Sequence, residues 1–297
     1  MGTTGARPRI YLKTILYVTD FSPAAEDAGR FASELARRYE SRVLALHVRA
    51  PQVYELAPPE SWPALTEASE QLAEEQRRHM KSLFHGVEHE ALIGEGDVWN
   101  MVSALVKNKE VDLIVIGTHG RRGLGMILLG SMAEKILRRA TCPVITVGPH
   151  VQLEPAHTAK LGQMLCATDF SPASAAGTAY AVFLAQASQA KLDFIHVIER
   201  PKLADAVRCH QLTESYRQRL QDLVPADSGL TSQVSFLVEQ GNPAEQILRA
   251  SRSRRADLIV LGVKHTGDDL SASNHLPWLT AHRVISEAPC PVLTVRG

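Results

Sequence analysis

At 297 residues, 45% hydrophobic and 22% charged, the chain has an ordinary globular composition and the length of two domains of common size. Lys plus Arg and Asp plus Glu both number 32, and each half is balanced, so no field is available to hold a polyanion and nucleic acid is not expected as a partner. Four cysteines without CxxC spacing speak against a disulfide framework or a zinc knuckle, and no apolar run approaches the ~18 residues of a membrane span. A cytoplasmic protein with no membrane partner is expected.

In chain order, ILYVT (15–19) reads as a buried strand. Ser22-Pro23 then supplies a hydroxyl cap and a proline at the first helical position, and 24–39 is an Ala-rich amphipathic helix. VLALHV (43–48) is a second strand. A Pro-rich stretch holding Tyr54 and Trp62 leads to a charged helix at about 65–83, and HEALIG (89–94) is a third strand. Asp97 caps a helix over 98–109, DLIVIG (112–117) is a continuous apolar strand, 131–139 is a short helix, and VITVG (144–148) is the last strand.

The same pattern then recurs. Residues 15–48 align without a gap on 164–197 with 12 identities in 34 positions, TDFSP and HV among them; 94–117 matches 239–262, and TCPVITV (141–147) matches APCPVLTV (288–295). A period of half the chain is a duplicated domain and not a solenoid. Two domains are expected, 1–150 and 151–297, joined by the polar segment HVQLEPAHTAK (150–160). Alternating strands and helices in each imply a parallel, doubly wound, Rossmann-like α/β sheet.

In such a sheet ligands bind beyond the carboxyl ends of the strands. Three segments qualify: Thr19-Asp20-Phe21-Ser22, Val48, and the run from Gly117 to Ser131, with five glycines in its first fourteen positions. Closely spaced glycines let backbone N–H groups approach an anion, and Gly130-Ser131 opens a helix whose dipole favours negative charge. A phosphate chain fits there. No G-K-S/T tripeptide occurs, and no glycine follows strand one, so neither a Walker A loop nor a dinucleotide fingerprint is present.

The spacing Gly117-x2-Gly120-x9-Gly130-Ser131 after DLIVIG, with TDFS, HV and CPV at the other strand ends, resembles the universal stress protein family over nearly the whole chain, twice, as in its tandem members. The resemblance implies five-stranded sheets of order 3-2-1-4-5 that bind an adenine nucleotide: Asp20 and the Val48 backbone at the adenosine end, Gly117 at the ribose, Gly120, Gly130 and Ser131 at the phosphates, often with a divalent cation such as Mg2+. Whether ATP, AMP or another adenine nucleotide is bound stays open. Asp20 has a second reading, an Asx turn before the Ser22 cap. For His47 a satisfied core histidine is the better reading. Arg121 and Arg122 are read either as reaching a terminal phosphate or as a solvated pair.

In the second copy the stretch after Gly262 has His265 in place of the second glycine and, nine residues on, His275-Leu276 in place of Gly-Ser. Nucleotide binding is therefore expected in the first half alone. The spacing of His265, His275, His282 and Cys290 matches no known zinc pattern. Since no dedicated base or nucleophile accompanies the glycine loop, the expected function is an adenine-nucleotide-binding stress-response protein in which ATP occupancy sets conformation or assembly, with slow hydrolysis at most. The alternative is a nucleotide-free scaffold with a protein partner. Strand five is an apolar edge in this strand order, and pairing 144–147 against 292–295 would cover both edges. That makes an intramolecular pseudo-dimer the expected unit, with a homodimer of such units built on other surfaces.

Overall fold

A computed structural model describes residues 11–49, 58–118, 129–151, 161–199, 206–230, 233–264 and 275–297. The first half runs β1 (Thr14–Thr19), α1 (Pro23–Tyr39), β2 (Arg42–Arg49), α2 (Trp62–Leu83), β3 (His89–Glu95), α3 (Val98–Asn108), β4 (Leu113–Gly117), α4 (Ser131–Arg139) and β5 (Val144–Val147). The second runs β6 (Gln163–Ala167), α5 (Pro172–Ser188), β7 (Lys191–Ile198), α6 (Ala206–Gln221), β8 (Val234–Gln240), α7 (Pro243–Arg254), β9 (Leu258–Val263), α8 (His275–Glu287) and β10 (Val292–Arg296). Most of the joining segment, 152–160, lies outside the described residues.

Local chemistry sets the helix starts. Ser22, Asp97, Ser171 and Asn242 each accept, through the side chain, an N–H from three residues on, and Pro23, Pro172 and Pro243 occupy the first helical turn without losing a bond. Glu40 and Gln189 close α1 and α5 in the left-handed region, at φ 53° and 54°. Asp112 explains why DLIVIG begins with a carboxylate: its Oδ2 accepts the amides of Lys13 and Thr14 at 2.8 and 3.0 Å and ties the start of β1 to β4. Asp257 does the same for Gly162 and Gln163, both at 2.8 Å.

Within each half the strands are parallel in the order expected, β3-β2-β1-β4-β5 and its copy, but they form one ten-stranded sheet rather than two separate ones: β3-β2-β1-β4-β5-β10-β9-β6-β7-β8. The join is antiparallel, with Val144, Ile145 and Thr146 opposite Thr294, Leu293 and Val292. Thr146 Oγ1 donates to the Val292 carbonyl at 3.2 Å, and Thr294 Oγ1 to the Val144 carbonyl at 3.1 Å, a reciprocal pair about the Ile145–Leu293 centre. An apolar strand edge left open would pair indiscriminately; here each covers the other.

Strand residues alternate between two cores, each continuous across both halves. Ile15 and Tyr17 belong to the core that lies under α1, α2, α5 and α6, with Phe31, Met80, Phe194 and Leu220 elsewhere in it. Leu16 belongs to the core under α3, α4, α7 and α8, which also holds Val102, Ile136, Ile247 and Val284. Two faces, each covered by helices, are why the central strands read as unbroken apolar runs. Among the described residues no helix is long and apolar enough to cross a membrane.

Candidate functional site

The turn after β1 is built by its own side chains. Thr19 Oγ1 accepts the Phe21 amide at 2.9 Å, Asp20 Oδ1 accepts the Ser22 amide at 3.0 Å, and between them Phe21 sits at φ 58°. The second copy repeats this with Thr168, Asp169, Phe170 (φ 60°) and Ser171. One oxygen of Asp20 therefore makes the Asx turn, in both copies alike. The left-handed residue turns the phenyl ring of Phe21 onto His47, 4.6 Å between ring centres, and His79 from α2 meets it edge-on at 5.6 Å. His47 Nδ1 donates to the Thr19 carbonyl at 2.7 Å. That bond also fixes its tautomer, because a carbonyl only accepts. His79 Nε2 reaches Glu26 Oε1 at 2.7 Å, bridging α2 to the start of α1.

Gly117 ends β4 directly beneath the first turn of α1. A Cβ there would stand 2.7 Å from the Ala25 nitrogen and 2.8 Å from the Ala24 carbonyl carbon. Its counterpart Gly262 is tighter still, 2.2 Å from the Ala173 oxygen. Both glycines are required by strand-to-helix packing, whatever else lies near.

Beyond Gly117 the chain is pinched at a neck. The Thr118 amide donates to the Val147 carbonyl at 3.0 Å, and the Gly130 amide donates to the Thr118 carbonyl at 2.8 Å. Gly120 and Arg121, expected at the phosphates, and Arg122 lie outside the described residues. Gly130 is the cap residue of α4 at φ −59° and ψ 140°, without a side-chain cap bond. That backbone geometry is open to any L-residue, so the turn itself does not demand glycine. Ser131, exposed, begins the helix, and its first-turn amides carry the positive end of the dipole. Lys135 of α4 is paired with Asp97 at 3.0 Å, and this bond, with that from the Asn100 amide, holds the Asp97 carboxyl below its usual range. Val48, half-buried, lies one residue from the end of β2, opposite Gly94. The structure thus brings Asp20, Val48, Gly117, Gly130 and Ser131 to one end of β1, β2 and β4. Trp62 opens α2 and is 44% exposed; Tyr54 lies outside the described residues.

In the second half, the equivalence drawn by counting forward from Gly262 is corrected. Ala140 and Ala288 close α4 and α8 alike, their amides donating to Ile136 and Val284, and Cys-Pro-Val follows each. Counting back from there, the residues that stand for Gly130-Ser131 are Trp278-Leu279 and not His275-Leu276. Helix α8 begins at His275, four residues earlier than its counterpart, an extension of about 6 Å. Trp278 is held by Arg138 of α4, whose guanidinium carbon lies 4.4 Å from the ring centre. His265 lies outside the described residues.

The carboxyl ends of β6, β7 and β9 are nonetheless not filled. A cleft of about 160 Å³ remains, with Thr168, Asp169, His196, Glu199, Ile247 and Thr280 on its walls. Burial pushes the Asp169 carboxyl up, but bonds from the Ser171 hydroxyl and amide and from Ser174 outweigh it, and the group is held below the usual carboxylate range. His196 donates through Nδ1 to the Thr168 carbonyl at 2.9 Å. Burial lowers its proton affinity, and Arg219 adds to this.

The model of the Universal stress protein family matches residues 12–148 and again 161–296. A universal stress protein of Methanocaldococcus jannaschii is 33% identical over 138 residues, 46% of this chain and 81% of its own length. One from Mycolicibacterium smegmatis is 27% identical over 308 residues, covering 95% of this chain and 96% of its own. The crystal structure of a universal stress protein from Archaeoglobus fulgidus superposes with a TM-score of 0.67 at 19% identity, covering 97% of this chain and 98% of that one.

Proposed function

Since the chain belongs to the universal stress protein family, twice over, we propose that its first half, residues 1–150, binds an adenine nucleotide at the carboxyl ends of β1, β2 and β4, and that occupancy by ATP sets conformation or assembly in the cytoplasm. The observation that carries this reading is Gly130. Packing accounts for Gly117 and the Asx turn for one oxygen of Asp20, but a φ of −59° leaves the absence of a side chain at Gly130 unexplained by the backbone. A helix start stripped of its Cβ and of any side-chain cap suits an incoming phosphate. Asp20 and the Val48 backbone would take the adenosine, and Gly120, Ser131 and Arg121 the phosphates. Mg2+ would accompany a triphosphate through the phosphate oxygens themselves. In the second half, 151–297, Trp278 and the added turn of α8 occupy the phosphate end.

Occupancy would be felt through the Thr118–Gly130 neck, which joins the loop to β5, the strand at the antiparallel join. We take that intramolecular pseudo-dimer as the basic unit, with homodimers of it and protein partners engaging other surfaces. Titration calorimetry of the full chain with ATP and Mg2+ tests the reading. One nucleotide per chain is expected; two would overturn the asymmetry, and none would overturn the proposal in favour of a nucleotide-free scaffold.

A further inference from the structure

We propose that the first half of α2 is a docking arm for a basic, amphipathic helix of a partner protein. Helix α2 has one face to bury, marked by Ala73, Met80 and, just past its end, Phe84, all buried. Trp62 stands on that same face, since residues 62 and 80 are five whole turns apart at ~3.6 residues per turn. Yet Trp62 is 44% exposed, and Leu65 and Leu72 beside it are 42% and 49% exposed. The end of the sheet explains the difference. Arg49, the last residue of β2, donates from Nη1 to the carbonyl and the hydroxyl of Ser69 at 3.0 and 2.9 Å, so β2 stops at the level of Ser69. The helix residues before Ser69 overhang it by about 10 Å. From Trp62 to Leu72 no residue is buried.

An apolar stripe on a projecting helix suits a second copy, a lipid surface or a partner helix, and charge decides among them. Glu60, Glu67, Glu70, Glu74 and Glu75 lie on the same stretch, all exposed, and no Lys or Arg occurs between Arg49 and Arg77. By helical spacing Glu70 falls on one side of the stripe and Glu75 on the other. Glu74 alone of the five is in an ion pair among the described residues, a surface one with Arg77 at 3.5 Å. Two arms packed on each other would set these carboxylates against their own copies, and an anionic membrane would repel them. A helix with Leu-like residues on one face and Lys or Arg on its flanks matches both the stripe and its border. The arm is also held in place: Arg49 fastens it at Ser69, and His79 ties the lower half of α2 to Glu26 of α1 at 2.7 Å. An arm already fixed loses little freedom on docking.

The probe is a synthetic helical peptide of about fourteen residues, LKKLLKLLKKLLKL, with its Leu/Glu counterpart as control. Binding to the full chain without nucleotide is read by fluorescence anisotropy of the labelled peptide. The Lys peptide should bind at one per chain, more weakly as salt rises from roughly 0.05 to 0.5 M, and the Glu peptide at least tenfold more weakly still. Leu65→Ser combined with Leu72→Ser should weaken the Lys peptide at least tenfold. Glu70→Lys combined with Glu75→Lys should reverse the preference and admit the Glu peptide. Neither pair should move the melting temperature of the free chain, since all four side chains are exposed. Failure of the Lys peptide to bind, or binding indifferent to both pairs, would overturn the proposal. So would a melting temperature lowered by the serines, which would place the stripe under cover within the chain. A concentration-dependent dimer in sedimentation, dissolved by Leu72→Ser, would overturn it in favour of self-association.

Discussion

Gly262→Ala asks whether the glycine that ends β9 exists for the fold. The added Cβ would lie 2.2 Å from the Ala173 carbonyl oxygen, 2.3 Å from Ser174 Cα and 2.5 Å from the Ala173 carbonyl carbon. Comfortable contact between such atoms begins at about 3.5 Å, so the first turn of α5 must retreat by roughly 1 Å. All three obstacles are backbone, and no rotamer change relieves them. Overpacking a close-packed interior costs about 1–3 kcal/mol, and an immovable partner places this case near the upper end. At roughly 2–4 °C per kcal/mol for a chain of this size, the melting temperature should fall by about 6–12 °C. Gly117→Ala meets its nearest atoms at 2.7, 2.8 and 3.0 Å and should cost only about 1–2 kcal/mol. Scanning calorimetry of both variants without ligand checks the order. A Gly262→Ala protein that melts with the parent, or a Gly117→Ala protein that is the more damaged of the two, would refute a fold requirement at Gly262.

Gly130→Val should behave in the opposite sense, lowering ATP affinity at least tenfold, ~1.4 kcal/mol, with the melting temperature of the free protein little changed; calorimetric titration beside a thermal melt reads both. His196 resists protonation in the folded state, so the unfolded chain takes its proton first as pH falls below the usual histidine range, and stability that is complete above about pH 6.5 declines towards the lower folded value. His196→Asn, whose amide can still donate to the Thr168 carbonyl, should flatten that part of the stability profile measured by urea unfolding between about pH 5 and 7. Burial raises the thiols of Cys142, Cys166 and Cys290 to about 12, although Cys142, like Cys209 on α6, is only half-buried. In native protein at pH 8 an aromatic disulfide reagent should titrate Cys209 first, Cys142 more slowly, and Cys166 and Cys290 only after unfolding.

Much of the fold was legible because local signals agree. Ser22-Pro23 and Asn242-Pro243 name a cap and a first turn in two residues, and DLIVIG and DLIVLG are too apolar for anything but a strand covered on both faces. The start of α8 was not legible in the direction used. Pro277 falls in its first turn, where a missing N–H is harmless, so no breaker signal marks the earlier start. Counting back from Cys-Pro-Val would have found Trp278 opposite Gly130. The second cleft was missed for a related reason: a lost glycine run says that one end of a site is gone and is silent about the other. The packing role of Gly117 lies beyond any motif, because the demand for glycine comes from Ala24 and Ala25, far away in sequence.

The antiparallel join has a geometric consequence for traffic across the molecule. Five parallel strands run one way and the next five run the other, so the carboxyl ends of β1, β2 and β4 lie on one rim of the sheet and those of β6, β7 and β9 on the opposite rim. A partner that grips one rim leaves the second open to solvent, and the two ends are joined lengthwise through β5 and β10, past the matched hydroxyls of Thr146 and Thr294, with Arg138 of α4 over Trp278 of α8 beside them. The chain is therefore a body with two unlike ends, able to be held by one while it is addressed at the other.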